Sequence, residues 1–403
     1  MEPRRAVAAL VGVVFLSACG GGGHHVRIGV DHRVALWDVP LRLTVTGLGA
    51  RERTVLRATS RDRTGKQFVS STPVTANAAG RVELGGDAAM HVLWSLRPVG
   101  LGSGAAFAYA AQWRGQRVTL SVDGARTTIR RVLFARGVHI VPIRHPFYGE
   151  YYAPAETSAP RPGILVFGGS EGGLATTGIA AFYASHGYPS LALAYFAKPG
   201  LPHDLLRIPL EYFARALRWL QRRPGVDPAK LAVEGISRGS EAAQLLGIHY
   251  PGLVHAVLAM VPANGANCGI TRFTGKPGSA RCIGPAWTFH GRAIPEGAGV
   301  YTPFPFHDER IDGPIFLDCG GADHLWASCP MARAIVSRLH AQHFEHGVTF
   351  LAYPHGGHGV GSLFPNLIGR GGTLEGWSRY SNDRAAADGW TKLLAFLRAF
   401  ARS

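Results

Sequence analysis

From about Val26 to Phe134 apolar and polar positions alternate, as in Leu41-Arg-Leu-Thr-Val-Thr46, Arg81-Val-Glu-Leu84 and Val118-Thr-Leu-Ser-Val122. A period of two puts every second side chain on one face, so these runs predict strands with one buried side. Gly47, Gly65, Asn77, Gly80 and Asp123-Gly124 separate them, and such residues favour turns. The expected architecture of this part is a β-sandwich. Past about Arg136 the pattern becomes strand, helix, strand: Leu191-Ala-Leu-Ala-Tyr195, the amphipathic run Leu205 to Arg222, Val257-Leu-Ala-Met-Val261 and a closing helix Ala385 to Ala401. Such alternation predicts an α/β fold, a parallel sheet with helices on both faces. The 403 residues exceed one typical domain, and 46% hydrophobic residues are enough for two cores. No repeat of fixed period is visible.

The apolar run at Leu231 leads straight into Gly235-Ile-Ser237-Arg-Gly239 and then into helix-forming sequence. This is the G-x-S-x-G pattern of a nucleophile elbow, in which small flanking residues allow the sharp strand-to-helix turn that exposes the serine hydroxyl. Ser237 is therefore the candidate nucleophile, with an ordinary Gly/Ser turn as the alternative. A serine needs a base and the base an orienting acid, and on this type of sheet they follow in the order Ser, Asp or Glu, His. Gly313-Pro-Ile-Phe-Leu-Asp-Cys319 reads as a buried strand that runs out into Gly320-Gly-Ala-Asp323, which makes Asp323 the candidate orienter. After a helical stretch from Met331 to Ala341 and the strand Val348 to Tyr353 comes Pro354-His355-Gly-Gly-His358-Gly359, which makes His358 the candidate base among 18 histidines. His355 competes for the base, and Asp318, inside the strand, competes for the acid.

Acyl transfer also needs two backbone donors aimed at the developing oxyanion. The Arg238 N–H, opening the helix after Ser237, is expected to be one. The strand Pro162-Gly-Ile-Leu-Val-Phe167 ends in Gly168-Gly-Ser-Glu-Gly-Gly173, where Gly169 or Ser170 is expected to supply the other. A phosphate-cradling loop is the rival reading of those glycines, but no Lys-Ser/Thr follows them as a P-loop needs.

From about Trp37 to the C-terminus the chain resembles the acyl-CoA thioester hydrolase / bile acid-CoA:amino acid N-acyltransferase family. The matching segments include Pro162-Gly-Ile-Leu-Val-Phe-Gly-Gly, Leu193-Ala-Tyr-Phe, Gly235-Ile-Ser-Arg-Gly-Ser-Glu241, Ala322-Asp-His-Leu-Trp-Ala-Ser328 and Tyr353-Pro-His-Gly-Gly-His358. In the N-terminal part they are Pro40 to Leu48, Leu56 to Asp62 and Val92-Leu-Trp-Ser-Leu-Arg-Pro98. The resemblance implies an α/β-hydrolase catalytic domain, over residues 136–403, preceded by a β-sandwich domain over 28–135. It implies the same Ser237, Asp323 and His358, no cofactor, and an acyl thioester or ester substrate. In that family Ser at the nucleophile accompanies hydrolysis and Cys accompanies transfer to an amine, so Ser237 favours hydrolysis. Transfer to an amine or alcohol stays open as the alternative, as does an inactive surface-binding protein. Ser240 stands where the family usually has Gly.

Met1-Glu-Pro-Arg-Arg5 is a basic start, Ala6 to Leu16 an apolar stretch shorter than the roughly 20 residues that span a bilayer, and Leu16-Ser-Ala-Cys19 ends it. Residues 1–18 are expected to be a signal peptide of the bacterial lipoprotein type, with Cys19 lipidated and 19–27 a flexible tether; an ordinary signal peptide is the alternative. That implies a cell-envelope, extracytoplasmic protein held to a membrane by lipid, where coenzyme A thioesters are scarce. Cys268, Cys282, Cys319 and Cys329 remain, an even number in an oxidising compartment. Pairing of sequence neighbours, Cys268 with Cys282 and Cys319 with Cys329, is the simplest of three schemes; a zinc site is the alternative, but the spacings are wide and lack close His partners. The net charge of +16 comes mostly from scattered Arg. It reads as solvated surface with attraction to anionic lipid, without the basic runs of nucleic-acid binding. Ala263 to Asp312, rich in Gly, Pro and aromatics, is expected to be a cap or loop, with Trp287, Phe289, Phe304 and Phe306 as candidate walls.

Overall fold

The computed structural model describes residues 25–101, 107, 109–113, 115–155, 159–271, 280–297, 303–363 and 379–403. The expected signal peptide, Cys19 and most of the tether lie outside these described residues. The N-terminal part comprises β1 (Arg27–Val30), β2 (Val34–Leu36), β3 (Leu43–Thr46), β4 (Arg53–Arg61), β5 (Gln67–Thr75), β6 (Val82–Leu84), α1 (Gly86–Trp94), β7 (Arg97–Pro98), β8 (Gln116–Val122) and β9 (Ala125–Val132). They form two sheets, β1-β3-β6 and β2-β9-β8-β4-β5-β7. The alternation works as the pattern demands: Leu56, Ala58, Val118, Leu120 and Ile129 of the larger sheet are fully buried and share one core with Leu43 and Val45 of the smaller. Asp123 and Gly124 join β8 to β9 with φ of 42° and 80°, the positive pair that a two-residue hairpin turn requires. Helix α1 departs from the all-strand expectation. It buries Ala89, Met90, Val92, Leu93 and Trp94, but nine residues are too few for a helical period to stand out from alternation.

The second part carries β10 (His139–Ile143), β11 (Tyr148–Ala153), β12 (Arg161–Phe167), α2 (Thr177–Ser185), β13 (Ser190–Ala194), α3 (Leu210–Gln221), β14 (Val226–Ile236), α4 (Arg238–His249), β15 (Ala256–Met260), β16 (Ile315–Gly320), α5 (Ser328–Ala341), β17 (Val348–Tyr353) and α6 (Arg379–Arg402). One eight-stranded sheet runs β10-β11-β13-β12-β14-β15-β16-β17. The pairs β10/β11 and β11/β13 are antiparallel and the rest parallel, with the β13/β12 exchange of an α/β-hydrolase. Strands β13 and β15 are buried at every residue, as a sheet covered on both faces requires. Ile164, Ala232, Leu258 and Phe316 pack under α2 and α6, while Leu165, Val233, Val257 and Leu317 pack under α3, α4 and α5. The helix expected from Leu205 begins only at Leu210. Its first residues pair with the insertion instead, Leu205 with Ile270 and Ile208 with Trp287, and Pro209, which lacks an N–H, marks the change.

The insertion between β15 and β16 is made of short strand pairs, Gly265–Ala266 with Phe304–Pro305, Cys268–Ile270 with Cys282–Pro285, and Trp287–Phe289 with Arg292–Ala293. The structure joins Cys268 to Cys282 and Cys319 to Cys329. Among the described residues no helix is long and apolar enough to cross a membrane.

Candidate active site

Ser237 links β14 to α4 with φ 56° and ψ −122°, a left-handed conformation that costs on the order of 1–3 kcal/mol for a residue with a side chain. The two glycines of the pattern make the turn possible: a Cβ on Gly235 would run into the Gly239 carbonyl oxygen, and one on Gly239 into that of Gly168. The Ser237 N–H donates to Met260 O at 2.9 Å, tying the elbow to the end of β15. Ser237 is 9% exposed.

Asp323 follows β16, and its carboxylate is filled by donors. Oδ1 accepts the N–H groups of Leu325 and Trp326 at 3.0 and 3.2 Å, and Oδ2 accepts the Ser328 hydroxyl at 2.7 Å and pairs with His358 Nδ1 at 2.8 Å. His358 lies past the end of β17 in a short 3-10 turn, His358–Gly361. The Trp326 ring meets it edge-on at 5.7 Å between centroids, and Trp326 Nε1 donates to Val261 O at 3.1 Å. Val261 follows Met260, the residue bonded to Ser237, so the serine, histidine and aspartate loops converge at the C-terminal edge of the sheet. The described residues record no hydrogen bond from the Ser237 hydroxyl to His358; in unliganded hydrolases this contact is commonly long.

The competing residues are elsewhere. His355 is exposed. Asp318 is fully buried in β16 and accepts the Val261 N–H at 2.7 Å, while its Oδ2 has no hydrogen-bond partner. Burial raises its pKa well above the usual carboxylate range, and Glu234 and Asp323 add to the rise. A carboxyl whose charged form is disfavoured by burial is a poor stabiliser of an imidazolium.

A Cβ on Gly169 would stand 2.9 Å from Ser237 Cβ and 3.3 Å from the Arg238 nitrogen, so the two expected donor loops are in contact. Tyr195 holds the first of them by donating its hydroxyl to Gly168 O and Gly169 O at 2.8 and 3.1 Å. The Gly169 N–H is already engaged, however, at 3.0 and 3.1 Å from the two carboxylate oxygens of Glu171. The Ser170 N–H makes no hydrogen bond among the described residues. Behind the Arg238 amide its guanidinium is buried. Nε and Nη2 donate to Glu241 at 2.7 and 3.2 Å, and Glu241 also accepts Asn267 Nδ2 at 2.9 Å and Trp287 Nε1 at 2.8 Å.

Of the expected wall residues, Trp287 is buried in that network and Phe306 is 5% exposed, Phe289 stacks on His249, and Phe304 faces solvent at 48% exposure. Sequence reasoning passed over Glu171, Ser328 and Glu241 as functional groups. The only signal for Glu171 was an acid inside a glycine-rich loop.

The family "BAAT / Acyl-CoA thioester hydrolase C terminal" matches residues 208–275 and 298–401. "Acyl-coenzyme A thioesterase 6" of Mus musculus is 27% identical over 403 residues, covering 90% of this chain and 94% of the relative. "Peroxisomal succinyl-coenzyme A thioesterase" of Mus musculus is 28% identical, over 89% of this chain and 93% of its own. "Acyl-coenzyme A thioesterase 1" of Rattus norvegicus is 28% identical, again over 89% and 93%. Among solved structures, the α/β-hydrolase MGS-M1 from a Medee basin deep-sea metagenome library covers 67% of this chain and 100% of its own, at 18% identity and a TM-score of 0.45. The dienelactone hydrolase of Anabaena variabilis covers 65% and 97%, at 13% identity and a TM-score of 0.38.

Proposed function

We propose that this chain, a thioester hydrolase whose C-terminal part matches the BAAT / acyl-CoA thioester hydrolase domain, cleaves an acyl thioester or ester with Ser237 as nucleophile, His358 as base and Asp323 as orienting acid. The observation that carries the reading is the 2.8 Å pairing of His358 Nδ1 with Asp323 Oδ2 at the strand edge that also holds the Ser237 elbow. With Nδ1–H given to Asp323, the Nε2 lone pair is free to take the Ser237 proton as the hydroxyl attacks the acyl carbon. The oxyanion then forms beside the Arg238 N–H and the Gly169–Ser170 loop. His358 returns the proton to the departing thiolate or alkoxide, leaving an acyl-serine, and the same base activates the water that hydrolyses it. Ser rather than Cys at 237 favours release of the acid over transfer.

In this reading Cys19 carries lipid, the enzyme faces the outside of a membrane in the cell envelope, and its substrate is an envelope or extracellular acyl compound. The two N-terminal sheets are read as a β-sandwich. A panel of p-nitrophenyl esters, acyl thioesters and amine acceptors, given to the protein lacking residues 1–19, defines acyl length, leaving group and the share of transfer. Ser237→Ala, His358→Ala and Asp323→Asn should each lower kcat by on the order of 10³-fold or more, with the Ser237/His358 double variant little worse than Ser237→Ala. Full activity in a folded Ser237→Ala protein overturns the assignment.

A further inference from the structure

Arginines that are scattered along the N-terminal sequence are gathered by the fold on one side of its larger sheet, and we infer that this face docks on a surface of anionic phospholipid. Arg53, Arg57 and Arg61 of β4, Arg117 of β8 and Arg126 of β9 are exposed on the side away from the core. The register puts them on a common face: Arg57, Ser121 and Arg126 stand in one row across three strands, and Thr59, Thr119 and Thr128 in the next. No outward position of β4, β5, β8 or β9 carries Asp or Glu. Among the described residues none of the five arginines makes an ion pair; Arg61 donates to the neutral Gly65 O and Gln67 Oε1 at 3.0 and 3.3 Å. Glu52 and Asp62, which flank β4, accept the N–H groups of Gly49 and Thr64 and so are turned back on their own loops.

Guanidinium groups massed on one face repel one another and add nothing to the core. An anionic plane turns the same arrangement into attraction, worth about a fivefold gain in partitioning per arginine. The four strands present an area of about 14 Å by 27 Å, and the row between the arginines carries only threonines, so the longer guanidinium side chains are the first to meet a flat partner. Trp113, four residues before Arg117, is 38% exposed at that end of β8, and a tryptophan at such a rim settles at headgroup level. The entry of the chain agrees with this placement. Strand β1 packs against β8 and β9, and an extended chain from Cys19 to Arg27 covers at most about 29 Å, enough to pass round two packed sheets that lie about 10 Å apart. This last point rests on the reading of Cys19 as lipidated; the charge of the face does not. A lipid at Cys19 retains the protein and the arginines orient it, since their attraction is screened at ordinary ionic strength and lost on dilution.

The test uses the protein lacking residues 1–19, which carries no lipid and keeps every described residue, sedimented with phosphatidylcholine vesicles made with and without phosphatidylglycerol. At low ionic strength it should favour the anionic vesicles by about a thousandfold, and salt at about 0.5 M should abolish the preference. The combined Arg57→Gln, Arg117→Gln and Arg126→Gln variant should lose about a hundredfold in partitioning, and each single change about fivefold, so the series stays readable if the triple variant folds poorly. Removing three exposed arginines of the second part, Arg222→Gln, Arg292→Gln and Arg333→Gln, takes away the same net charge and should change partitioning by less than about threefold, because charges far from the surface are screened. Hydrolysis of a soluble p-nitrophenyl ester reports the folded fraction of each variant. Equal partitioning onto the two kinds of vesicle, or a face variant that behaves like the control, overturns the inference. So does tighter binding of duplex DNA than of anionic vesicles at equal phosphate, lost in the same face variant, since the partner is then a nucleic acid. The reading of Cys19 fails separately, if mass spectrometry of the protein from cells finds no lipid there while the lipid-free protein still prefers anionic vesicles.

Discussion

Two carboxyl groups that take no part in the proposed reaction carry a signature of their own. Glu234, on the elbow strand, is buried against the Tyr183 hydroxyl, and burial lifts its pKa from 4.5 to about 7. Asp308 is lifted to about 7 by burial, then by repulsion from Glu309. Both are raised acids, so the folded state favours their protonated forms. Their contribution is whole below about pH 4 and is lost as pH rises through 7. Each pKa unit is worth about 1.4 kcal/mol, so the rise from 4.5 to about 7 lets Glu234 alone remove on the order of 3 kcal/mol by pH 8. Glu234→Gln should therefore shrink the fall in thermal midpoint between pH 5 and pH 8, even if burying an amide lowers both midpoints. A variant whose pH curve runs parallel to that of wild type would contradict this account.

Among the elements, the loop from β16 to α5 and the start of α4 hold the site. Cys319 is the next-to-last residue of β16 and Cys329 the second of α5, and the bridge joins positions 10 apart in sequence with Asp323 and Trp326 between them. A loop this short constrains the unfolded chain by about 2–3 kcal/mol and also holds the acid beside His358. Mild reduction should lower activity before it melts the domain, with activity and near-ultraviolet dichroism followed together; simultaneous loss of both signals would show that the bridge is global in its effect. At α4, Glu241 is the hub through which Arg238, Asn267 and Trp287 are joined. Stranding a buried guanidinium costs about 3–5 kcal/mol, so Glu241→Ala should lower the unfolding free energy read from urea titration by that amount, as a lower midpoint at unchanged m-value. A surface-like loss below about 1 kcal/mol would mean that the network is hydrated.

For the whole molecule, the core that the N-terminal strands build does not end with them. It continues into the α2/α6 face of the large sheet, where Asp38 accepts Trp390 Nε1 at 3.1 Å and lies 2.9 Å from His186 Nε2. The proposed anchor lies at the far N-terminus and should be separable from catalysis. Lipid affinity grows by about 0.8 kcal/mol per buried methylene, so Cys19→Ser should move the protein to the soluble fraction with kcat/KM unchanged. Membrane association that persists after correct processing of the signal would argue against the lipid.

Much of this was legible along the chain because it depends on local rules. Alternation set β3, β6 and β8, continuous apolar runs set β13 and β15, and Gly235-Ile-Ser237-Arg-Gly239 announced a turn that only glycines can make. The candidate order Ser237, Asp323, His358 could be read because strand ends can be counted. What the sequence could not settle depends on where water goes. Asp318 and Asp323 look alike in a string of letters; folding buries one inside β16, where its protonated form is favoured, and gives the other four hydrogen-bond partners, His358 among them. Helix α1 is decided by the core it fills and not by its nine residues. Whether Gly169 offers its amide or spends it on Glu171 is decided by a side chain two residues away, whose reach and direction no spacing encodes. Local propensity and period act through neighbours in sequence, while protonation, pairing and occupancy of a donor are set by neighbours in space.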